Sequence, residues 1–293
     1  MLVDISNVSG ASKIYITKCT SCYLTYRTHI KEKVEELDQR VTILEQEITD
    51  TGINQWKSKK IVWLGTSIPY GQSAADGGRA AHPYPAQIAQ KFGCTVINNA
   101  SPGLAVEGEY DSSTQTWTPK QFGSLSLTAS EYSAAGQSSP GVKCYENSML
   151  GQNADLYVFD CEPNNSNGDL TDLNNFNVAQ WRYNDNSSFA SHRNTYVGAM
   201  IYLLDKLWTE KPTAKVVLVG EFGNSSTYQA DSIHTASISL CEKFRIEYID
   251  LWNKLYYNPL NKSQYINTDG VHPKQAGYDR MANILANELL LIS

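Results

Sequence analysis

Several features that would assign this chain to a particular class are missing from its sequence. No apolar run approaches the roughly 20 residues that a helix needs to span a bilayer. The start, Met1-Leu2-Val3-Asp4, has neither the basic residues nor the apolar segment of a signal peptide, so we expect no signal peptide in this chain. These absences argue against an integral membrane protein, and they leave open that the chain is part of a longer, secreted product.

Positive charge is also in short supply. The formal net charge is −6 at pH 7, and residues 61–293 carry 15 Lys and Arg against 22 Asp and Glu. Nucleic-acid backbones and anionic membrane surfaces are bound through clusters of Lys and Arg. We therefore expect no nucleic acid and no membrane among the partners of this protein.

The six cysteines are too scattered to form a metal-binding pattern. Cys19 and Cys22 form a single CxxC pair without a second pair or a nearby histidine cluster, so we interpret them as reduced or locally bonded thiols. Cys94 and Cys161 lie in apolar runs and are typical of small core residues. The cysteines therefore predict no metal site.

The N-terminal part of the chain predicts an oligomerisation segment. Residues 1–22 alternate weakly and indicate one or two short strands. Within residues 23–52, apolar side chains recur at alternating spacings of four and three, which is the heptad pattern of a coiled coil. The residues of this seam are Ile30, Val34, Leu37, Val41, Leu44 and Ile48. The pattern favours a homodimer but leaves a trimer open, and the alternative is a single amphipathic helix packed on the main domain.

From residue 61 onward, short apolar strands alternate with helical segments. We predict strands at 61–64, 95–97, 156–159, 215–219 and 247–250, and helices at 84–92, 194–208, 232–244 and 273–291. Apolar strands that alternate with helices are typical of a parallel sheet covered on both faces. The predicted fold of residues 61–293 is therefore an α/β fold, a three-layer α/β/α sandwich with a five-stranded parallel sheet. It follows a linker at 53–60, and residues 104–150 and 164–192 are long insertions of the kind that form functional rims.

Four short segments place reactive side chains after the predicted strands or before the last helix, where parallel sheets bind their ligands. Three of them also fit ordinary turns when taken singly. Together they offer a nucleophile, a base, an orienting carboxylate and oxyanion donors. The segments are Gly65-Thr66-Ser67, Asn98-Asn99-Ala100-Ser101-Pro102-Gly103, Glu162-Pro163-Asn164-Asn165 and Asp269-Gly270-Val271-His272-Pro273.

In this order, the four segments resemble the sequence blocks of the SGNH (GDSL-like) hydrolase superfamily over residues 60–293. The resemblance implies a serine esterase in which Ser67 is the nucleophile, His272 the base and Asp269 the carboxylate that orients it. It also implies an oxyanion hole made by the N–H groups of Ser67 and Gly103 and by the side chain of Asn164. The implied mechanism needs no metal and no cofactor.

Three residues depart from the pattern of that superfamily. Thr66 replaces the Asp of its Gly-Asp-Ser block, Glu162 replaces a glycine, and Asn165 replaces an acid. None of these changes removes a proposed catalytic group, but they bear on substrate shape. They also motivate an alternative, a catalytically impaired module that binds a glycan or receptor.

The expected substrate and setting rest on composition and analogy. The chain has 18 Tyr residues, and its Asn-rich insertions suit contacts with a carbohydrate, whereas no apolar lid for a long-chain lipase is evident. Members of the superfamily often remove O-acetyl groups from polysaccharides, so an acetylated carbohydrate is the expected substrate. A coiled coil ahead of such a domain resembles the layout of phage tail fibres and tailspikes, which implies a homo-oligomer on a virion tail or outside the cell. A purely structural oligomeriser is a third possibility.

Overall fold

The computed structural model describes residues 54–76, 78–111, 116–121, 149–165, 167–176, 195–220, 230–258 and 260–292. The predicted N-terminal segment 1–22 and coiled-coil helix 23–52 lie outside the described residues and stay predictions. In chain order the elements are β1 (Lys60–Gly65), α1 (Ser67–Tyr70), β2 (Gln72–Ser73), β3 (Gly78–Arg79), α2 (Tyr84–Phe92), β4 (Thr95–Asn98), β5 (Leu104–Asp111), β6 (Thr116–Gln121), β7 (Leu156–Asp160), α3 (Thr171–Asn174), α4 (Tyr196–Glu210), β8 (Lys215–Gly220), α5 (Ala230–Phe244), β9 (Glu247–Asp250), α6 (Leu251–Lys254), α7 (Lys262–Tyr265) and α8 (Gln275–Leu291).

A five-stranded sheet lies at the centre of the fold, with its strands in the order β4-β1-β7-β8-β9. Every neighbouring pair in this sheet is parallel. The predicted three-layer α/β fold is therefore confirmed. After β1 the chain adds β4 on one side of it and then β7, β8 and β9 on the other side. The carboxyl ends of β1 and β7 therefore form a topological switch point, which is where open parallel sheets bind ligands.

The sheet is buried on both faces, as continuous apolar strands require. Because side chains alternate along a strand, Val62 and Leu64 pack with residues of α4 and α5, whereas Ile61 and Trp63 pack on the opposite face with α2 and α8. Each of these four side chains is fully buried. Burial of one large apolar side chain stabilises a fold by about 1.5–3 kcal/mol. The packing of these side chains therefore holds β1 in place, and with it the residues that follow its carboxyl end.

The described part of the predicted linker packs against the main domain. Trp56 is 2% exposed, and its indole Nε1 donates a hydrogen bond of 2.7 Å to the carbonyl of Leu289. The side chain of Asn54 donates to the carbonyl of Phe92 at 3.0 Å. Residues 54–59 are therefore attached to the surface of the domain.

The last helix starts two residues later than its sequence predicts. Pro273 was the expected first residue of the helix, but it pairs with Ile266 in an isolated antiparallel bridge, and α8 begins at Gln275. The N–H of Asn267 also donates to the carbonyl of His272 at 2.8 Å. His272 thus lies in a loop that is closed by strand-like pairing, not at a helix boundary.

Both predicted insertions contain regular structure, since α3 lies within residues 164–192. Within residues 104–150, β5 and β6 pair antiparallel as a hairpin. In the described part of the chain, no helix is both long and apolar enough to cross a membrane.

Candidate active site

Ser67 is the first residue of α1, directly beyond the end of the central strand β1. The turn between them requires a glycine at position 65, because a Cβ there would lie 2.7 Å from the carbonyl oxygen of Asp160 and would clash with Cγ of Pro69. Ser67 is 7% exposed, so its hydroxyl is largely shielded from bulk water. The close approach of β7 therefore requires a glycine two residues before the serine.

His272 and Asp269 meet this serine in a continuous chain of hydrogen bonds. The Nε2 atom of His272 lies 2.9 Å from Oγ of Ser67. Its Nδ1 atom lies 2.8 Å from Oδ2 of Asp269. An ionised carboxylate only accepts hydrogen bonds, so Nδ1 carries the ring proton and Nε2 is left to accept the proton of the serine. This is the arrangement of a nucleophile, its base and the group that orients the base.

Asp269 is held in its ionised state by the loop around it. Its Oδ1 atom accepts hydrogen bonds from the N–H groups of Val271, at 2.8 Å, and His272, at 3.0 Å. Burial alone would raise the pKa of this carboxyl, but these bonds and the His272 ring outweigh burial, so its pKa lies below the usual 3.8. One oxygen of Asp269 therefore shapes the turn while the other holds the imidazole.

The loop that carries this pair is anchored by Asn267, a residue that the sequence analysis did not identify. Asn267 is 5% exposed, and its Nδ2 donates to the carbonyls of His272, at 2.9 Å, and Pro273, at 3.0 Å. Its Oδ1 accepts from the N–H of Ala75 at 3.0 Å. Ala75 follows the nucleophile helix closely in sequence, so one amide ties the loop of the base to the segment of the nucleophile.

A second polar link joins the same two segments. Oδ2 of Asp76 accepts hydrogen bonds from Oγ of Ser73, at 2.5 Å, and from the backbone N–H of Gln275, at 3.0 Å. Gln275 is the first residue of α8, so the carboxylate also satisfies a helix N–H that has no partner within the helix. The spacing between Ser67 and His272 is thus set by links on both sides of the base.

Gly103 and Asn164, the two other residues predicted for the site, lie close to each other. Both adopt left-handed backbone conformations, with φ of 72° and 69°, which glycine and asparagine tolerate better than other residues. Nδ2 of Asn164 donates to the carbonyl of Leu104, the neighbour of Gly103, at 3.1 Å. A side-chain amide has two N–H hydrogens, so this bond leaves Asn164 a second donor.

Two of the three departures from the resembled SGNH pattern, Thr66 and Glu162, have different structural settings. Thr66 is fully buried, and its Oγ1 has no hydrogen-bond partner among the described residues. Glu162 is 8% exposed and accepts a hydrogen bond of 2.7 Å from the hydroxyl of Tyr248. Burial, and then the charge of Glu162, raise the pKa of Tyr248 far above its ordinary value, so this hydroxyl keeps its proton. Neither residue lies in the hydrogen-bonded chain of Ser67, His272 and Asp269.

Within the described ranges, no group of three or more His, Cys, Asp or Glu side chains is placed to hold a metal ion. The arrangement can perform nucleophilic attack by a serine on an electrophilic carbon, with proton transfer through the imidazole.

No protein-family model matches this sequence, and no curated protein matches it. Solved structures do match its fold. One of them aligns with a TM-score of 0.53 at 18% identity, over 81% of this chain and 98% of its own. A lipase/acylhydrolase from Enterococcus faecalis aligns with a TM-score of 0.48 at 15% identity, over 79% and 95%. An acetylxylan esterase from Geobacillus stearothermophilus, solved as a catalytic mutant, aligns with a TM-score of 0.43 at 17% identity, over 80% and 94%. The first likeness supports the α/β/α fold described above.

Proposed function

We propose that this protein is a serine esterase that removes O-acetyl groups from a carbohydrate. The observation that supports the esterase is the hydrogen-bonded chain from Asp269 through His272 to Ser67, at 2.8 and 2.9 Å. A serine hydroxyl is a poor nucleophile until a neighbouring base takes its proton, and this geometry supplies such a base.

In the proposed reaction, Nε2 of His272 takes the proton of Ser67 as Oγ bonds to the ester carbonyl carbon. The N–H groups of Ser67 and Gly103 and the side chain of Asn164 stabilise the oxyanion of the tetrahedral intermediate. The intermediate collapses to an acyl-enzyme as the C–O bond to the alcohol breaks, and His272 gives its proton to the leaving alcohol. Water then attacks the acyl-enzyme with His272 as base, which releases acetate and restores Ser67.

Asp269 has no bond to make or break in this cycle. Its charge stabilises the imidazolium that forms when His272 accepts the serine proton. Because the hydrogen bonds of the loop lower the pKa of Asp269, it stays ionised throughout the neutral and mildly acidic range. The three oxyanion donors supply the larger electrostatic contribution, each worth about 100- to 1,000-fold in rate.

Two features of the sequence favour a carbohydrate as the substrate. The four sequence segments resemble those of SGNH hydrolases, many of which deacetylate polysaccharides. The chain is also rich in Tyr, with 18 residues, and aromatic rings stack well on sugar rings. These features favour an acetylated carbohydrate over a long-chain lipid.

Acetate release from an acetylated polysaccharide tests this proposal. Acetylated xylan is incubated with the wild-type protein, with Ser67→Ala and with Ser263→Ala, an exposed serine in α7 that serves as the matched control. We expect acetate release by the wild type and the control only. Binding of the polysaccharide without acetate release would favour the alternative, a glycan- or receptor-binding module.

We further propose that the N-terminal coil displays this enzyme as a homo-oligomer, as in a phage tail fibre. The heptad seam in the sequence is the support for this second step. Light scattering of the full chain beside the double variant Leu37→Glu/Leu44→Glu tests it, because two charges in the apolar seam disrupt a coiled coil. We expect a dimer or trimer that becomes a monomer while small-ester hydrolysis persists. An unchanged mass in the variant would contradict the coil as the interface.

A further inference from the structure

Asn165 crosses between the two segments that carry the proposed oxyanion donors. It is 6% exposed and directly follows Asn164. Its Oδ1 accepts hydrogen bonds from the backbone N–H groups of Val106, at 2.9 Å, and Glu107, at 3.1 Å. Both of these residues lie in β5, which begins directly after Gly103. The amide oxygen therefore binds the segment of Gly103.

The other end of the same amide binds its own loop. Nδ2 of Asn165 donates to the carbonyl oxygens of Cys161 at 2.5 Å, Glu162 at 3.1 Å and Pro163 at 3.2 Å. These carbonyls belong to the turn that leads from β7 to Asn164. Five backbone groups thus form hydrogen bonds with one buried side chain.

The two loops that Asn165 links also contact each other directly. The side chain of Asn164 donates to the carbonyl of Leu104 at 3.1 Å. Asn164 and Gly103 therefore lie on two neighbouring loops, and the hydrogen bonds of Asn165 also link these two loops. Both have left-handed backbone conformations, so neither loop is held by regular strand pairing at that point.

We propose that Asn165 is a positioning residue that sets the spacing of the two oxyanion donors, Gly103 and Asn164. This inference rests on the proposed esterase function. It also gives a physical reason for the departure at this position, where the resembled superfamily carries an acid. A carboxylate only accepts hydrogen bonds and would face three carbonyl oxygens here, whereas an amide donates to them.

The isosteric change Asn165→Asp is the sharpest probe of this role. It keeps the size of the side chain but replaces its donor end by an acceptor, which buries a charge against the carbonyls of Cys161, Glu162 and Pro163. The turn that carries Asn164 must then shift. A misplacement of about 1 Å in a catalytic group can cost about 100-fold in rate.

The experiment measures kcat and KM for a small acetate ester, together with inhibition by phenylboronic acid, whose serine adduct is a tetrahedral anion. We compare the wild type with Asn165→Asp and Asn165→Ala, and with Asn283→Asp, an exposed residue of α8, as control. We expect kcat to fall by about 10- to 100-fold in both Asn165 variants, with KM within about twofold of wild type. We also expect boronate affinity to fall by the same factor as kcat, and the control to match the wild type.

Each other outcome overturns the inference in a recognisable way. If the wild type hydrolyses the ester and the Asn165 variants keep its kcat and boronate affinity, the role of Asn165 fails alone. If KM changes while kcat does not, Asn165 acts in substrate binding. If both variants fail to fold in thermal melts, Asn165 holds the fold and not the donors. If the wild type has no turnover, the esterase itself fails and the role falls with it.

Discussion

Nε2 of His272 lies 2.9 Å from Oγ of Ser67, although 205 positions separate the two residues in the sequence. The serine projects from the end of the central strand, whereas the histidine lies in the loop before the last helix. Their contact therefore depends on how the fold fixes that loop. Asn267 and Asp76 supply the bonds that fix it, so the proposed chemistry depends on residues outside the hydrogen-bonded chain of Ser67, His272 and Asp269.

Replacement of the orienting carboxylate should remove most of the activity. In Asp269→Asn the side chain keeps its shape, but it no longer favours the imidazole with its proton on Nδ1, and it loses the charge that stabilises imidazolium. We expect kcat for p-nitrophenyl acetate to fall by about 1,000- to 10,000-fold, with KM little changed. If the variant stays within about tenfold of wild type, backbone groups rather than Asp269 hold His272.

Acid titration should reveal the stabilising bonds of Asp269 in the folded protein. Its pKa is below 3.8 in the folded state and close to 3.8 when unfolded, so the unfolded chain takes up the proton first as the pH falls. The stability from Asp269 is therefore fully present above about pH 4 to 5 and is lost as the pH drops through the lowered folded value. Thermal melts of wild type and Asp269→Asn between pH 6 and pH 3 measure this. A melting-temperature difference that stays constant over the range would contradict it.

Removal of the loop anchor should lower turnover without unfolding the domain. Asn267→Ala deletes the hydrogen bonds to Ala75, His272 and Pro273, so the base is no longer held at the serine. We expect kcat to fall by about 10- to 100-fold because the Ser67–His272 distance is no longer fixed. Thr268→Ala, at the exposed neighbouring position, serves as the control in the same assay. Equal activity in the two variants would show that the loop keeps its place without Asn267.

Replacement of Thr66, the residue before the nucleophile, should stabilise the folded protein. Oγ1 of Thr66 is buried without a hydrogen-bond partner among the described residues, and such a hydroxyl costs about 1–3 kcal/mol. Thr66→Val replaces it by a methyl group of similar size, so we expect a gain of about 1 kcal/mol, or roughly 2–4 °C in melting temperature. Thr209→Val, on the exposed side of α4, should give no such gain. A lower melting temperature in Thr66→Val would mean that the hydroxyl is satisfied.

The elements of the sheet could be predicted from the sequence because their signal is local. Val62 and its neighbours form a continuous apolar run, and such runs are typical of strands buried on both faces. The strand from Leu156 and the helix that begins at Tyr84 carry equally local patterns. Ser67, Asp269 and His272 were predicted as site residues from the segments Gly65-Thr66-Ser67 and Asp269-Gly270-Val271-His272-Pro273 and the resemblance that these segments carry, and the structure brings the three side chains together.

The residues that position the site could not be predicted in the same way. Asn267 binds Ala75 across 192 positions, and Asn165 binds Val106 across 59. An asparagine in a loop looks like a turn residue in the sequence, because its partners become neighbours only after folding. The start of α8 was misplaced for the same reason, since Pro273 is held by its bridge to Ile266, a tertiary contact.

The most direct test of the account is p-nitrophenyl acetate hydrolysis by the wild type beside Ser67→Ala, with thermal melts of both. We predict steady turnover by the wild type and none above background in Ser67→Ala, at an unchanged melting temperature. Equal rates in the two proteins would contradict the assignment of Ser67 as the nucleophile.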